Sequence, residues 1–327
     1  MTLNRRTALG LAALGAMPRP ATALTPAPQI APVDPVETIR LWPAGAPGGA
    51  GVSVTPRVVE RSIDPAFHDR FAQHTTDPIL TVLRPARPNG AALLLVPGGG
   101  YKWAVVDKEG LDCARVFAAA GITCFVLRYR LPGDGWAAGP DAPLQDAQRA
   151  LRLIRARATA DGLDPTRIAV LGASAGGHLA GLLTARQDPT YAPVDGADTA
   201  AFRPDLSILL YPVATMADPH VHTGSRAELL SPDPTPAAIE RYSLEQMDWT
   251  GAPPTLLLHA LDDPAVPVDN SLGLLSALRA ASVPAEAHLF EEGGHGFGIR
   301  LIAGKPAAVW PGLVLTWAAR HGWITQS

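Results

Sequence analysis

An α/β fold built on a mostly parallel central sheet, flanked by helices and carrying at most a small lid segment, is predicted by three features of the sequence. From Ile39 onward, short apolar runs alternate with amphipathic stretches long enough to be helices. The runs are mostly apolar, as in strands of a sheet covered on both faces. Finally, a glycine-flanked serine, Gly172-Ala173-Ser174-Ala175-Gly176, stands between such a run and the helix-prone Leu179-Ala180-Gly181-Leu182-Leu183. It reads as strand, sharp turn, helix.

The predicted strands are, in order, Ile79 to Leu83, Ala92 to Val96, Ile122 to Leu127, Ile168 to Leu171, Leu206 to Leu210, Thr255 to His259 and Glu286 to Phe290. Parallel strands end at one common edge, so the loops after them converge on a single crevice. The second run ends in Pro97-Gly98-Gly99-Gly100-Tyr101, the fourth in the Ser174 turn, the sixth in Ala260-Leu261-Asp262-Asp263, and the seventh in Gly293-Gly294-His295-Gly296. Residues 213 to 253, rich in Pro, His and Asp, form one long connection that reads as a partial lid.

With 327 residues, 47% hydrophobic and 17% charged, the chain has enough apolar material for one large α/β domain or two small ones, and no second core is evident. A net charge of −3 without long basic runs supplies no electrostatic footprint for nucleic acid. No apolar run reaches the roughly 18 to 20 residues that span a bilayer. Residues 1–23 read as a Tat-type signal peptide, with adjacent Arg5 and Arg6, a mildly apolar stretch to Met17 and an Ala21-Thr22-Ala23 cleavage site. The expected destination is a bacterial periplasm or the exterior. Residues 24–38 continue a Pro-rich linker, and 39–327 form the catalytic domain. Cys113 and Cys124 are the only cysteines and are expected as buried free thiols, with a disulfide as the alternative.

Chemistry is expected where the strand-end loops meet. Glycines two before and two after Ser174 leave room for a strained turn that lifts its hydroxyl out at a helix N-terminus. Gly99 and Gly100, with the amide of Ala175, are candidate donors to an oxyanion, and Tyr101 is the alternative in the same loop. The loop after Thr255 to His259 carries two candidate acids, Asp262 and Asp263. If the chain order is Ser, Asp, His, the base lies among His288, His295 and His321. His288 sits within a strand and His321 within the last helix, which leaves His295. His178 is expected as a hydrogen-bonded core residue, and His220-Val221-His222 as polar loop surface, since a metal site needs a third ligand. Glu109 and Asp146 are candidate braces of the glycine loop or the serine turn. Tyr101, Trp103 and Trp136 are candidates for an aromatic wall against a sugar ring or an aryl group.

These residues resemble the α/β-hydrolase family, in the group that holds bacterial acetyl esterases and acetylxylan esterases. The resemblance runs in order through Leu41-Trp42-Pro43, the Pro97 to Tyr101 loop, Lys108-Glu109-Gly110, Leu127 to Leu131, the Gly172 to His178 turn, Gly224-Ser225-Arg226, His259 to Asp263 and Gly293 to Phe297. It implies Ser174 as nucleophile, His295 as general base and acid, and Asp263 as orienting acid, Asp263 being preferred to Asp262 for its distance before Val266-Pro267. Pro97 departs from the histidine that many esterases have there. The implied substrate is a carboxylic ester, typically an acetyl group on a sugar or polysaccharide, and no metal or organic cofactor is needed. The same triad would serve an amide or peptide hydrolase, and a hydrolase fold without turnover would serve as a carbohydrate-binding protein. Glycosidase chemistry wants two flanking carboxylates, which the sequence does not organise.

Overall fold

The computed structural model describes residues 37–64 and 68–324. The signal segment 1–23 and the linker as far as Val36 therefore lie outside the described residues. Strands β1 (Glu37–Arg40), β4 (Ile79–Leu83), β5 (Ala92–Val96), β6 (Thr123–Arg128), β7 (Ile168–Ala173), β8 (Leu206–Leu210), β9 (Thr255–Ala260) and β10 (Ala285–Phe290) form one sheet, ordered β1-β4-β6-β5-β7-β8-β9-β10. β1 and β4 are antiparallel to their neighbours, and every pairing from β6 to β10 is parallel. A separate antiparallel hairpin joins β2 (Arg57–Glu60) and β3 (Arg70–Gln73).

The seven predicted strands are all present, with ends shifted by at most two residues. Three short ones were not foreseen. β1 begins at Glu37, two residues inside the stretch read as linker, because its backbone completes the antiparallel edge on β4. β2 and β3 carry no apolar run; β2 is mostly exposed.

Both faces of the central strands are buried, which is why β5 and β7 are continuously apolar. Along β5, Leu94 and Val96 point into one core with Leu144 and Leu151 of α2 (Ala142–Arg157), Leu179 and Leu182 of α3 (Ala175–Ala185) and Leu274 of α6 (Asp269–Ala280). Leu93 and Leu95 point into the other, with Phe117 of α1 (Asp112–Ala119) and Trp310 and Trp317 of α7 (Trp310–Arg320). Period-two alternation of β5 side chains thus divides one run between two cores. Cys113 and Cys124 are free and buried in the second.

This order also sets the site. β5 lies between β6 and β7, so the chain leaves it first to one side and then to the other, which opens a crevice at the carboxyl edge. Val96 pairs with Gly172, so the glycine loop and the Ser174 turn leave adjacent strands at the same level.

Candidate active site

Ser174 sits between β7 and α3 with φ 54° and ψ −122°, a conformation that L-residues with a side chain rarely adopt. Hydrogen bonds over-determine it: its amide donates to the Leu210 carbonyl, and its own carbonyl accepts from the His178 and Val213 amides. Gly176 is required by close approach rather than by φ. A Cβ there would stand 2.1 Å from the Val96 carbonyl oxygen, so only glycine lets α3 start this near β5. The hydroxyl is thereby presented at the head of a helix, on a buried and rigid support.

The His295 imidazole approaches that hydroxyl, with Nε2 2.9 Å from Ser174 Oγ. Its Nδ1 lies 2.7 Å from Asp263 Oδ2, so Nδ1 carries the proton and Nε2 is left as the acceptor facing the hydroxyl. Asp263 is completely buried. Burial opposes its ionisation, but hydrogen bonds from His259 and His295, the charge of His295 and the Val266 amide outweigh it and hold the carboxyl well below the usual range. Its other oxygen accepts from the Ala265 and Val266 amides, both at 2.9 Å. Asp262 does different work: its Oδ1 accepts from the Gly293 and Gly294 amides at 2.9 and 2.7 Å, which ties down the loop that carries His295.

The glycine loop faces the same hydroxyl. Gly98 donates to Glu109 Oε2 at 2.8 Å, and the Lys102 and Trp103 amides both turn back onto the Gly99 carbonyl. Among the described residues the amides of Gly99, Gly100 and Tyr101 donate to no group of the protein, so the loop keeps unspent donors. Gly99, at φ +127°, cannot be replaced without strain, and a Cβ there would lie 2.3 Å from Trp103. Gly99, Gly100, Trp103, Ser174, His222 and His295 line a cleft of about 410 Å³. A larger hollow of about 870 Å³ lies elsewhere, around Asp141, Arg186 and Arg241, and contains neither Ser174 nor His295. The cleft, though smaller, is where Ser174 and His295 meet.

A family model described as the alpha/beta hydrolase fold matches residues 93–299. The chain belongs to this family. Among curated relatives, the acetylxylan esterase of Xylanibacter ruminicola is 32% identical over 219 residues, which are 65% of this chain and 42% of that protein. Endo-1,4-beta-xylanase B of Butyrivibrio fibrisolvens is 34% identical over 210 residues, 62% of this chain and 32% of that protein. This alpha/beta hydrolase therefore spans less than half the length of either relative. Among solved structures, the acetyl ester-xyloside bifunctional hydrolase of Caldicellulosiruptor lactoaceticus superimposes with a TM-score of 0.70 at 32% identity, covering 89% of this chain and 98% of that one.

Within this hydrolase, most predicted site residues meet in the cleft, but two aromatics do not. Tyr101 is buried, its hydroxyl donating to His178 Nδ1 at 2.7 Å, so it pins the glycine loop to α3 instead of walling the cleft. Trp136 packs under the Arg130 guanidinium, 4.7 Å from the ring centroid, away from the cleft. Trp103 does line it, beside Phe71. Glu109 is a brace as expected, holding Gly98 and accepting from the Tyr211 hydroxyl. Asp146 braces something else: it is buried against Arg130 and Trp42 at the end of β6.

Two histidines emerge with places the sequence did not assign. His259 Nε2 is within reach of two acceptors, the Val266 carbonyl at 3.0 Å and Asp263 Oδ2 at 3.3 Å, so Asp263 is gripped by two imidazoles. The four-residue spacing of His259 and Asp263 was the available signal. His222, read as loop surface, caps α4 (Thr223–Leu230) and lines the cleft, because the 213–253 segment folds back to form one wall.

His178 is the core histidine that was expected, and it makes stability depend on pH. Burial, opposed by the Tyr242 carbonyl, lowers its pKa to about 4. Between about pH 6.5 and 4 the unfolded chain binds a proton there that the folded chain refuses, so stability falls as pH falls, by up to about 3 kcal/mol. Above that window the contribution is complete. In denaturant titrations, the stability gap between the parent and His178→Gln should therefore narrow from pH 7 to pH 4. Parallel curves would contradict it.

Proposed function

We propose that this alpha/beta hydrolase is a serine carboxylic-ester hydrolase that removes acetyl groups from sugars or xylan-type polysaccharides through an acyl-enzyme. The observation that carries the reading is the unbroken chain from Ser174 Oγ through His295 to the buried Asp263, at 2.9 and 2.7 Å, beneath a loop with unspent amides. Ser174 attacks the ester carbonyl as His295 Nε2 takes its proton. The Ala175 amide and those of Gly99 and Gly100 hold the tetrahedral oxyanion, each such donor contributing roughly 10² to 10³ in rate. His295 then protonates the leaving alcohol, and water activated by the same nitrogen releases acetate. Asp263, ionised throughout, keeps the tautomer fixed. The acetyl-sugar preference is supported by the names of the two relatives that carry acetyl-ester activity. Export through the twin-arginine leader would put the enzyme where such polymers lie.

The test is acetate release by residues 24–327 from acetylated xylan and from 4-nitrophenyl acetate, with a series of longer nitrophenyl esters. Activity on both acetyl substrates, falling with acyl length, is expected. Nitrophenyl ester cleavage without acetate from xylan would contradict the carbohydrate substrate and leave the mechanism standing.

A further inference from the structure

The triad leaves one imidazole of the cleft without a task. The Ser225 amide donates to His222 Nδ1 at 3.1 Å, and the Ser225 hydroxyl lies 2.8 Å from the same nitrogen. A backbone N–H can only donate, so Nδ1 is the unprotonated nitrogen and a neutral His222 carries its proton on Nε2. Burial, then the charge of His295, favour that neutral form, with Asp263 opposing. Among the described residues Nε2 has no hydrogen-bond partner, although the ring lines the cleft beside Ser174 and His295. The ring is thus locked by its capping bonds with an unspent donor at its other end.

The position of the ring indicates what that donor meets. The amides of the glycine loop and Ala175 already serve the carbonyl oxygen. His222 is instead close enough to His295 for the charge of one to bear on the other, and His295 is the group that hands its proton to the leaving oxygen. We propose that His222 is a specificity-determining residue whose Nε2–H donates to a hydroxyl or ring oxygen of the sugar that leaves. This rests on the esterase reading above and names the half of the ester it selects.

Three variants separate that role from capping. In His222→Asn the shorter side chain still accepts from the Ser225 amide, as asparagine does at helix N-caps, but has no donor at the place of Nε2. His222→Gln puts an amide N–H near that place. Ser225→Ala weakens the cap and leaves Nε2–H intact. With methyl 2-O-acetyl-β-xyloside and 4-nitrophenyl acetate as paired substrates, the ratio of their kcat/KM values is the readout. It should fall about tenfold in His222→Asn, the worth of one hydrogen bond to substrate. Recovery toward the parent ratio is expected in His222→Gln, and the parent ratio in Ser225→Ala. An unchanged ratio in His222→Asn, or an equal fall in Ser225→Ala, would overturn the assignment while the esterase reading stood. A parent enzyme that cleaves nitrophenyl acetate through Ser174 but spares the xyloside would overturn the sugar reading and this assignment together.

Discussion

Ser174→Ala should lower kcat on 4-nitrophenyl acetate by on the order of 10⁶, since removing the nucleophile of a triad forfeits the cooperative contribution of all its members. What remains, roughly 10³ over water, comes from the oxyanion donors and binding, which this variant leaves in place. The substitution is also mild for the fold. The hydroxyl makes one hydrogen bond, to His295, and no other group depends on it. The strained backbone at φ 54° is held by main-chain bonds that alanine keeps. The variant should therefore melt near the parent temperature, and a large loss of activity with an unchanged melting point is the expected pair of results. Retained turnover would mean that another nucleophile acts.

Asp263→Asn should cost on the order of 10⁴ in kcat, by the tautomer argument. The carboxylate accepts from His295 Nδ1 and thereby leaves Nε2 as the lone pair that faces Ser174. An amide nitrogen at the place of Oδ2 would donate to Nδ1, moving the proton to Nε2, where it cannot accept the hydroxyl's. Asp262→Asn is the paired control, because an amide oxygen still accepts from the Gly293 and Gly294 amides, and its loss should stay within about tenfold. The pair discriminates well: near-normal Asp263→Asn beside an inactive Asp262→Asn would reverse the two roles. The depressed pKa of Asp263 adds a sign: a carboxyl held well below the ordinary range remains charged through mild acid, so Asp263 keeps orienting the imidazole there.

How far the sequence reached follows from which constraints are local. A strand buried on both faces is apolar at most positions, so β5, β7, β8 and β9 were visible as runs. The Ser174 turn was visible because its backbone and the approach of α3 to β5 admit only small residues. His295 was reachable by chain order once the strand before it was placed. β2, mostly exposed and held by a single partner, left no comparable mark. The aromatic wall failed for a related reason: exposed and buried rings look alike in sequence, and Tyr101 is buried against His178, far from it in the chain, while Trp136 is buried beneath Arg130. His222 and His259 owe their places to tertiary folding, one to the return of the 213–253 segment over the cleft and the other to the turn after β9.

The most direct test of the central claim is to treat the enzyme with diethyl 4-nitrophenyl phosphate, which phosphorylates activated serines, and to map the adduct by mass spectrometry. A single diethylphosphoryl group on Ser174, formed in step with the loss of esterase activity and absent from Ser174→Ala, is the predicted result. An adduct on another residue, or full inactivation with Ser174 unmodified, would contradict the account.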